Sequence, residues 1–266
     1  MSASLKAQWR KPHWVRSPLL RWALYGAVLL YLYLAFISID INYQRLSEGV
    51  GRGLRFVQAF SHPDFSSRWA EIRDGILESL AMMVTATVLG ILVSVPFGLG
   101  AARNISPYGL VQVCRFVISA SRALPELIIA IFLVKMFGFG PFAGMLTLVI
   151  ATIGFFGKLM ADEIETIQFS QIEAVRATGA SWWQVLVYAV QPQIAPRLVG
   201  LSVYRLDINF RESAVIGIVG AGGIGASLNT AFNRYEFDTA AAILLLIIMI
   251  VMLCEYTSGY IRRRYL

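Results

Sequence analysis

Cysteine and histidine are nearly missing, at two residues each in a chain of 266. Cys114 and Cys254 fall near the predicted cytoplasmic ends of apolar runs, so no disulfide is expected. Together with His13 and His62 they supply no cluster of the kind a metal site needs. Charge is also scarce: 15% of residues are Asp, Glu, Lys or Arg, against 57% hydrophobic. Soluble domains carry about 25% charged residues, so the shortage excludes an ordinary soluble protein and puts the chain among integral membrane proteins. No internal repeat, low-complexity tract, separate soluble domain or catalytic constellation is found. The chain therefore reads as a non-enzyme.

What is present in abundance is apolar sequence in long runs. A hydrocarbon core about 30 Å thick needs roughly 20 apolar residues per helical crossing. Trp22 to Ile39 and Ser79 to Ala102 carry no charged residue, and Thr239 to Ile261 carries Glu255 and, at its very end, nothing more until Arg262. Three further crossings carry charge or are shorter: Phe116 to Phe137 with Arg122 and Glu126 inside, Pro141 to Met160, and Ile194 to Val219 with a charged middle. The expectation is an all-α integral membrane protein of six crossings.

Basic residues resist translocation, so their flanks set the orientation. Lys6, Arg10, Lys11, Arg16 and Arg21 precede the first run without an acidic residue, and Arg262, Arg263 and Arg264 follow the last. Both termini are thus expected in the cytoplasm, which agrees with an even number of crossings. Residues 1–18 read as a cytoplasmic segment and 19–266 as one transmembrane domain. No cleavable signal peptide is read, because the first run is too long and no small-x-small site follows it. The net charge of +7 needs only this topology, and the basic residues lack the aromatic interleaving of a nucleic-acid binder.

Between the runs, residues 40–74 read as a periplasmic segment with Leu46, Val50, Leu54 and Val57 at helical spacing, an amphipathic helix on the outer surface. Phe137 to Pro141 supplies the Gly and Pro of a tight turn between the third and fourth crossings. Residues 161–193 form the cytoplasmic loop. Ser170-Gln171-Ile172-Glu173 fits a capping box, Gly179 suits a left-handed helix end, and Ser181-Trp182-Trp183-Gln184 repeats the box before a second short helix expected to stop near Pro192. The prediction is helix, Gly joint, helix.

At Glu173, Ala174, Gly179 and Pro192 this loop resembles that of the membrane-spanning subunits of binding-protein-dependent ABC importers, whose pattern is Glu-Ala-Ala, three residues, Gly, nine residues, Ile-x-Leu-Pro. Val175, Ala189 and Gln191 depart from it. From about Leu77 onward the chain resembles the phosphonate and phosphite permease branch, through Pro96 to Asn104, Arg122 to Leu127, Gly138 to Gly144 and Val219 to Gly225. The Gly-rich stretch also resembles the methionine importers. The resemblance implies a type I importer permease in the bacterial inner membrane, pairing with a second copy of itself. It further implies two ATP-binding cassette subunits, which would hold the ATP and Mg that this chain does not, and a periplasmic substrate-binding protein carrying most of the selectivity. Glu173, Ala174, Arg176, Gly179, Ala180, Trp182 and Trp183 would then form the coupling helix that docks on an ATPase.

Two other groups of residues bear on function. Gly220, Gly222 and Gly225 spell G-x-G-x-x-G, yet a dinucleotide fold would need a second strand and an acidic residue about 20 positions on, where a membrane span begins instead. Gly220, Gly222, Gly223 and Gly225 are read as a tight turn or close packing within protein. Arg205, Asp207, Asn209, Arg211 and Glu212 lie in the fifth crossing, where an unpaired charge facing lipid would cost a few kcal/mol or more. Helical spacing sets Asp207 and Arg211 on one face and Arg205, Asn209 and Glu212 on another. They serve either as ion pairs between helices, with Arg122–Glu126 and Lys158–Asp162 alongside, or as the lining of a path for an anion. Arg211 leads for the path and Glu126 for a structural partner.

The reading is a permease subunit for phosphonate, phosphite or a related oxyanion working by alternating access. Its rivals are a permease for another small solute such as methionine, an ion-coupled secondary transporter using the charges as a relay, and a membrane-bound NAD enzyme resting on the Gly-rich turn.

Overall fold

The computed structural model describes residues 17–39 and 42–265, so the expected cytoplasmic segment 1–18 lies outside the described residues apart from Ser17 and Pro18. The described residues are all helical, without a strand. They cluster as two compact units, 1–54 and 55–266, a division inside the expected periplasmic segment.

In the first unit, α1 (Pro18–Ser38) starts where Ser17 Oγ accepts from Leu20 N–H at 3.0 Å and Pro18 takes the first helical position. Its 21 residues span about 32 Å, and Leu29, Leu30, Leu32 and Phe36 are exposed, as suits a helix facing hydrocarbon. The amphipathic helix α2 (Tyr43–Ala59) crosses the boundary between the units. Val50, Leu54 and Val57 are exposed along one side of it.

The second unit begins with α3 (Trp69–Ala101), 33 residues long and so about 50 Å, which starts well before its apolar run. Next come α4 (Tyr108–Ala123) and α5 (Glu126–Phe137), bent by 88° at Leu124–Pro125. The expected single crossing from Phe116 to Phe137 is therefore corrected to a broken one. Proline disfavours the helical region for the residue before it, and Leu124 sits at φ −104, ψ 134. A Gly138–Gly140 turn then leads into α6 (Pro141–Glu165), giving the expected hairpin.

Beyond α6, the loop helices α7 (Phe169–Ala177) and α8 (Trp182–Val185) lead through a π turn at Leu186–Val190 into α9 (Gln191–Ile216). A second π turn, Gly217–Ala221, precedes α10 (Gly223–Asn233), bent by 56°, and α11 (Phe237–Tyr265) ends the described chain. Among the described residues, four helices are long and apolar enough to cross a membrane, or six if each bent pair is one span. The expected six crossings thus require counting both broken pairs.

Two further expectations are corrected. The helix expected to stop at Pro192 runs on, because Pro192 falls in the first turn of α9, where its missing N–H has no intrahelical duty, and the wider π turn relaxes the chain before it. The Ser170 capping box is absent as well: α7 begins two residues earlier than that box would set it, with Gln168 as its cap, whose N–H donates to Gln193 Oε1 at 3.0 Å.

The core forms where small residues let helices approach. Gly90 of α3 meets Thr152 of α6, and Gly98 meets Met160. A second apolar cluster holds Phe156, Met160, Ile164, Ile172, Val185 and Ile194. Burying an Ile side chain stabilises by about 1.5–3 kcal/mol, so Ile172 and Val185 anchor the loop helices to the bundle.

Candidate functional site

The buried charges come first, since membrane proteins keep few without a use. On α9, Arg205 is 2% exposed. Its Nη2 donates to Glu212 Oε2 at 3.0 Å and its Nε to Thr152 Oγ1 at 3.0 Å, while its guanidinium lies 5.2 Å from the Phe155 ring centroid. Asn209, fully buried, donates from Nδ2 to Thr87 Oγ1 at 2.7 Å. These bonds tie α3, α6 and α9 together at one level. The other face of α9 holds the pair Arg211–Asp207, with Nη2 and Oδ2 at 2.5 Å; Asp207 is buried and the Arg211 side chain is 47% exposed. The two pairs sit on the two faces that helical spacing assigns them.

Beside the first pair, a cavity of about 350 Å³ opens at the α4–α5 break, lined by Ser121, Arg122, Pro125, Glu126, Phe155, Arg205 and Glu212 among others. Gly154 of α6 lets the last turn of α4 come close, since a Cβ there would stand 2.6 Å from Arg122 Cγ and 2.8 Å from Ser121 Oγ. Arg122 and Glu126 form no ion pair or hydrogen bond among the described residues, which corrects the pairing expected from their spacing. Four residues apart are neighbours only on a continuous helix, and the break separates them. Lys158 and Asp162, on unbroken α6, do pair at 2.5 Å. Glu126, expected as a structural partner, lines the cavity; Arg211 does not.

The loop 161–193, expected in the cytoplasm, is built differently. Gly179 has φ +79, a conformation costly for any residue with a Cβ, and its N–H donates to Arg176 O at 2.9 Å. The second capping box is formed, with Ser181 N–H donating to Gln184 Oε1 at 2.8 Å. Trp182 and Trp183 meet edge to face with centroids 4.7 Å apart, and Trp182 Nε1 donates to Ile105 O at 3.3 Å. Trp183 is 67% exposed. Glu173, Ala174 and Arg176 are exposed and Ala180 is half-buried, so the loop presents one polar and aromatic outer surface over its buried Ile172 and Val185.

At the opposite end of this unit, the Gly-rich turn has Gly220 at φ +95, Gly222 at +79 and Gly223 at +71. A Cβ on Gly222 would stand 2.8 Å from Pro141 N, and one on Gly225 would strike the Ala214 carbonyl. Gly140 N–H donates to Gly220 O at 3.0 Å, joining this turn to the α5–α6 turn. The N–H groups that a nucleotide phosphate would need are taken: Gly223 N–H donates to Glu78 Oε2 at 2.6 Å and Ile224 N–H to Ser79 Oγ at 2.9 Å. The segment before the turn is helix, not strand. The dinucleotide reading fails on both counts.

Sequence reasoning missed Glu78, Thr87, Ser121 and Thr152. Glu78 stands just outside an uncharged run, and its distance from α10 in sequence hides its role as that helix's cap. The hydroxyls look neutral inside apolar helices: Thr87 and Thr152 donate to a backbone carbonyl one turn back, while Ser121 donates to Ile150 O of α6. Their other partners lie on distant helices.

Residues 94–265 match the family described as "Binding-protein-dependent transport system inner membrane component". The phosphate-import permease protein PhnE of Mycolicibacterium smegmatis is 39% identical over 251 residues, covering 94% of this chain and 47% of that protein, so the chain spans about half the length of this relative. The phosphite transport system permease protein PtxC of Stutzerimonas stutzeri is 40% identical over 204 residues, 76% of this chain and 74% of that protein. The structure of an inward-facing methionine ABC transporter, MetNI, superposes with a TM-score of 0.65 at 22% identity, over 76% of this chain and 99% of the other, and carries the expected type I importer fold. The match of most of the bundle together with the exposed helix–Gly–helix loop shows that the chain belongs to the binding-protein-dependent transport system inner membrane component family.

Proposed function

We propose that this chain is the membrane-spanning subunit of an ATP-driven importer for a phosphorus oxyanion, whether phosphate, phosphite or a phosphonate. The observation that carries the reading is the exposed loop Glu173–Trp183, anchored by Ile172 and Val185 and lying inside the family match. It offers a rigid surface to a soluble partner. The substrate class is supported by relatives named for phosphate and phosphite import and by the cavity, which Arg122 lines without a hydrogen bond or ion pair among the described residues.

In this mechanism a second copy completes a central path in the bacterial inner membrane, with both termini in the cytoplasm. The Asp207–Arg211 face of α9 supports such pairing, because a half-exposed Arg is costly against lipid and needs protein or a water-filled path to cover it. Two ATPase subunits, holding ATP and Mg, close together and move the loops. The bundles then rock so that the path opens outward and receives the anion from a periplasmic binding protein, and hydrolysis returns them inward. The chain itself breaks no bond.

Reconstitution tests the reading. Proteoliposomes holding this chain, its ATPase and its binding protein should accumulate radiolabelled phosphite only when ATP is supplied. Uptake by the chain without any ATPase subunit would replace this reading with the ion-coupled one.

A further inference from the structure

The cavity at the α4–α5 break holds two Arg and two Glu side chains, and only one pair of them is committed. Arg205 and Glu212 meet in two parallel contacts, 3.0 and 3.4 Å, and Arg205 Nε is spent on Thr152. Arg122 and Glu126 line the same space with no hydrogen bond or ion pair among the described residues. One donor group and one acceptor group are therefore left facing the cavity from either side of the bend.

A guanidinium offers only donors, whereas an ionised carboxylate offers only acceptors. A bare oxyanion satisfies Arg122 but opposes its lone pairs to those of Glu126. An oxyanion that still carries an acidic O–H satisfies both. We infer that this cavity is a transient binding site for oxyanions bearing an acidic O–H, with Arg122 donating to an ionised oxygen and Glu126 accepting from the hydroxyl. This deepens the import reading above and rests on it. Phosphate, phosphite and phosphonates keep such a proton in part near neutral pH, and sulfate does not. Glu126 is then a specificity-determining residue, and Arg122 the group that holds the charge.

The formal charges of the four side chains cancel, so the site attracts an anion weakly. Weak binding suits a path, in which a ligand must enter readily and leave readily. Discrimination by hydrogen-bond complementarity survives that weakness, because a site built around a ligand hydroxyl strongly rejects an analogue lacking it.

Equilibrium dialysis of the purified permease–ATPase complex against radiolabelled inorganic phosphate, with unlabelled phosphate or sulfate as competitor at constant ionic strength, tests the assignment. The wild-type complex should retain phosphate and release it to sulfate at least about tenfold less readily than to phosphate. Glu126→Gln, whose amide donates to a bare oxygen, should let sulfate compete nearly as well. Arg122→Ala should weaken retention of phosphate by about tenfold. Equal competition by sulfate in the wild type, discrimination preserved in Glu126→Gln, or no phosphate retained at all would each overturn the inference. The wild-type comparison needs no variant and stands even if Glu126→Gln fails to fold. ATP-dependent phosphite uptake by the complete importer alongside any of those results would sink this inference alone, whereas absent uptake would sink the import reading beneath it.

Discussion

Two arginine–carboxylate clusters in this molecule have the same chemistry and opposite consequences. Arg205 meets Glu212 in the middle of the bundle, its side chain 2% exposed; Arg68 meets Glu71 and Glu236 at one end, its side chain 21% exposed and that of Glu71 56%. Exposed pairs contribute about 0–1 kcal/mol each, whereas removing one partner of a buried pair costs about 3–5 kcal/mol, because the charge left behind has no water to turn to. Burial, more than pairing, decides what a charge does here.

The largest effect should come from splitting the interior cluster. Arg205→Met leaves Glu212 without its partner and Thr152 Oγ1 with only the longer contact from Asn209 Nδ2 at 3.4 Å, so the detergent-solubilised protein should lose about 3 kcal/mol or more of stability, read as a much lower melting temperature and poor membrane yield. Arg205→Met with Glu212→Leu should recover much of it. Arg68→Met should shift the melting temperature little. If the Arg205 and Arg68 variants lose stability equally, the contrast between interior and end is wrong.

Next in size is a change of function without a change of fold. Gly179 has open space around it and φ +79, so Gly179→Val meets no clash but strains the backbone by roughly 1–3 kcal/mol. The exposed joint should relax into another angle and tilt α8 against α7. Uptake in the reconstituted importer should fall by about tenfold or more, since that strain is comparable to 1.4 kcal/mol, while membrane yield and melting temperature stay close to wild type. Normal uptake would remove the coupling role from this loop.

The same contrast between interior and end explains what the sequence made legible. Uniform runs such as Ser79 to Ala102 announced their helices because composition alone decides them, and the two faces of α9 followed from spacing on a helix that continues. The Arg122–Glu126 pair did not follow, although Pro125 between them carried the signal: spacing predicts a pair only where the helix is unbroken. Pro192 misled in the other direction, because a proline in the first turn after a π turn does not end a helix. The cavity itself arises from α4, α5, α6 and α9 meeting across long sequence separations, with Gly154 setting the approach. No local pattern encodes that meeting.

Arg211 lies between the two extremes, with a half-exposed guanidinium on a buried carboxylate. Arg211→Ala should leave Asp207 without its guanidinium partner, costing less than the loss of Arg205 because that guanidinium is already half-exposed. A drop of several degrees in melting temperature with partial uptake is expected, and Arg211→Lys should restore part of both, since a lysine keeps the charge but loses the planar fork. A variant with unchanged stability and abolished uptake would instead place Arg211 in the path.

The smallest effect belongs to the half-buried Asp64, which precedes α3. Its Oδ1 accepts from Ser66 N–H at 2.9 Å, Ser66 Oγ at 2.8 Å and Ser67 N–H at 3.1 Å. Hydrogen bonds from Ser67, then from Ser66, hold its carboxyl well below the ordinary value of 3.8. A group whose folded value is depressed stabilises the fold above its unfolded value and loses that contribution as pH falls toward the folded one. Asp64→Ala should therefore lower the melting temperature slightly at neutral pH, and the gap from wild type should narrow once the pH drops below about 3.8. Water screens this loop throughout, so a shift as large as that of the Arg205 variant, or a gap that widens in acid, would show that Asp64 is held by something other than its serine turn.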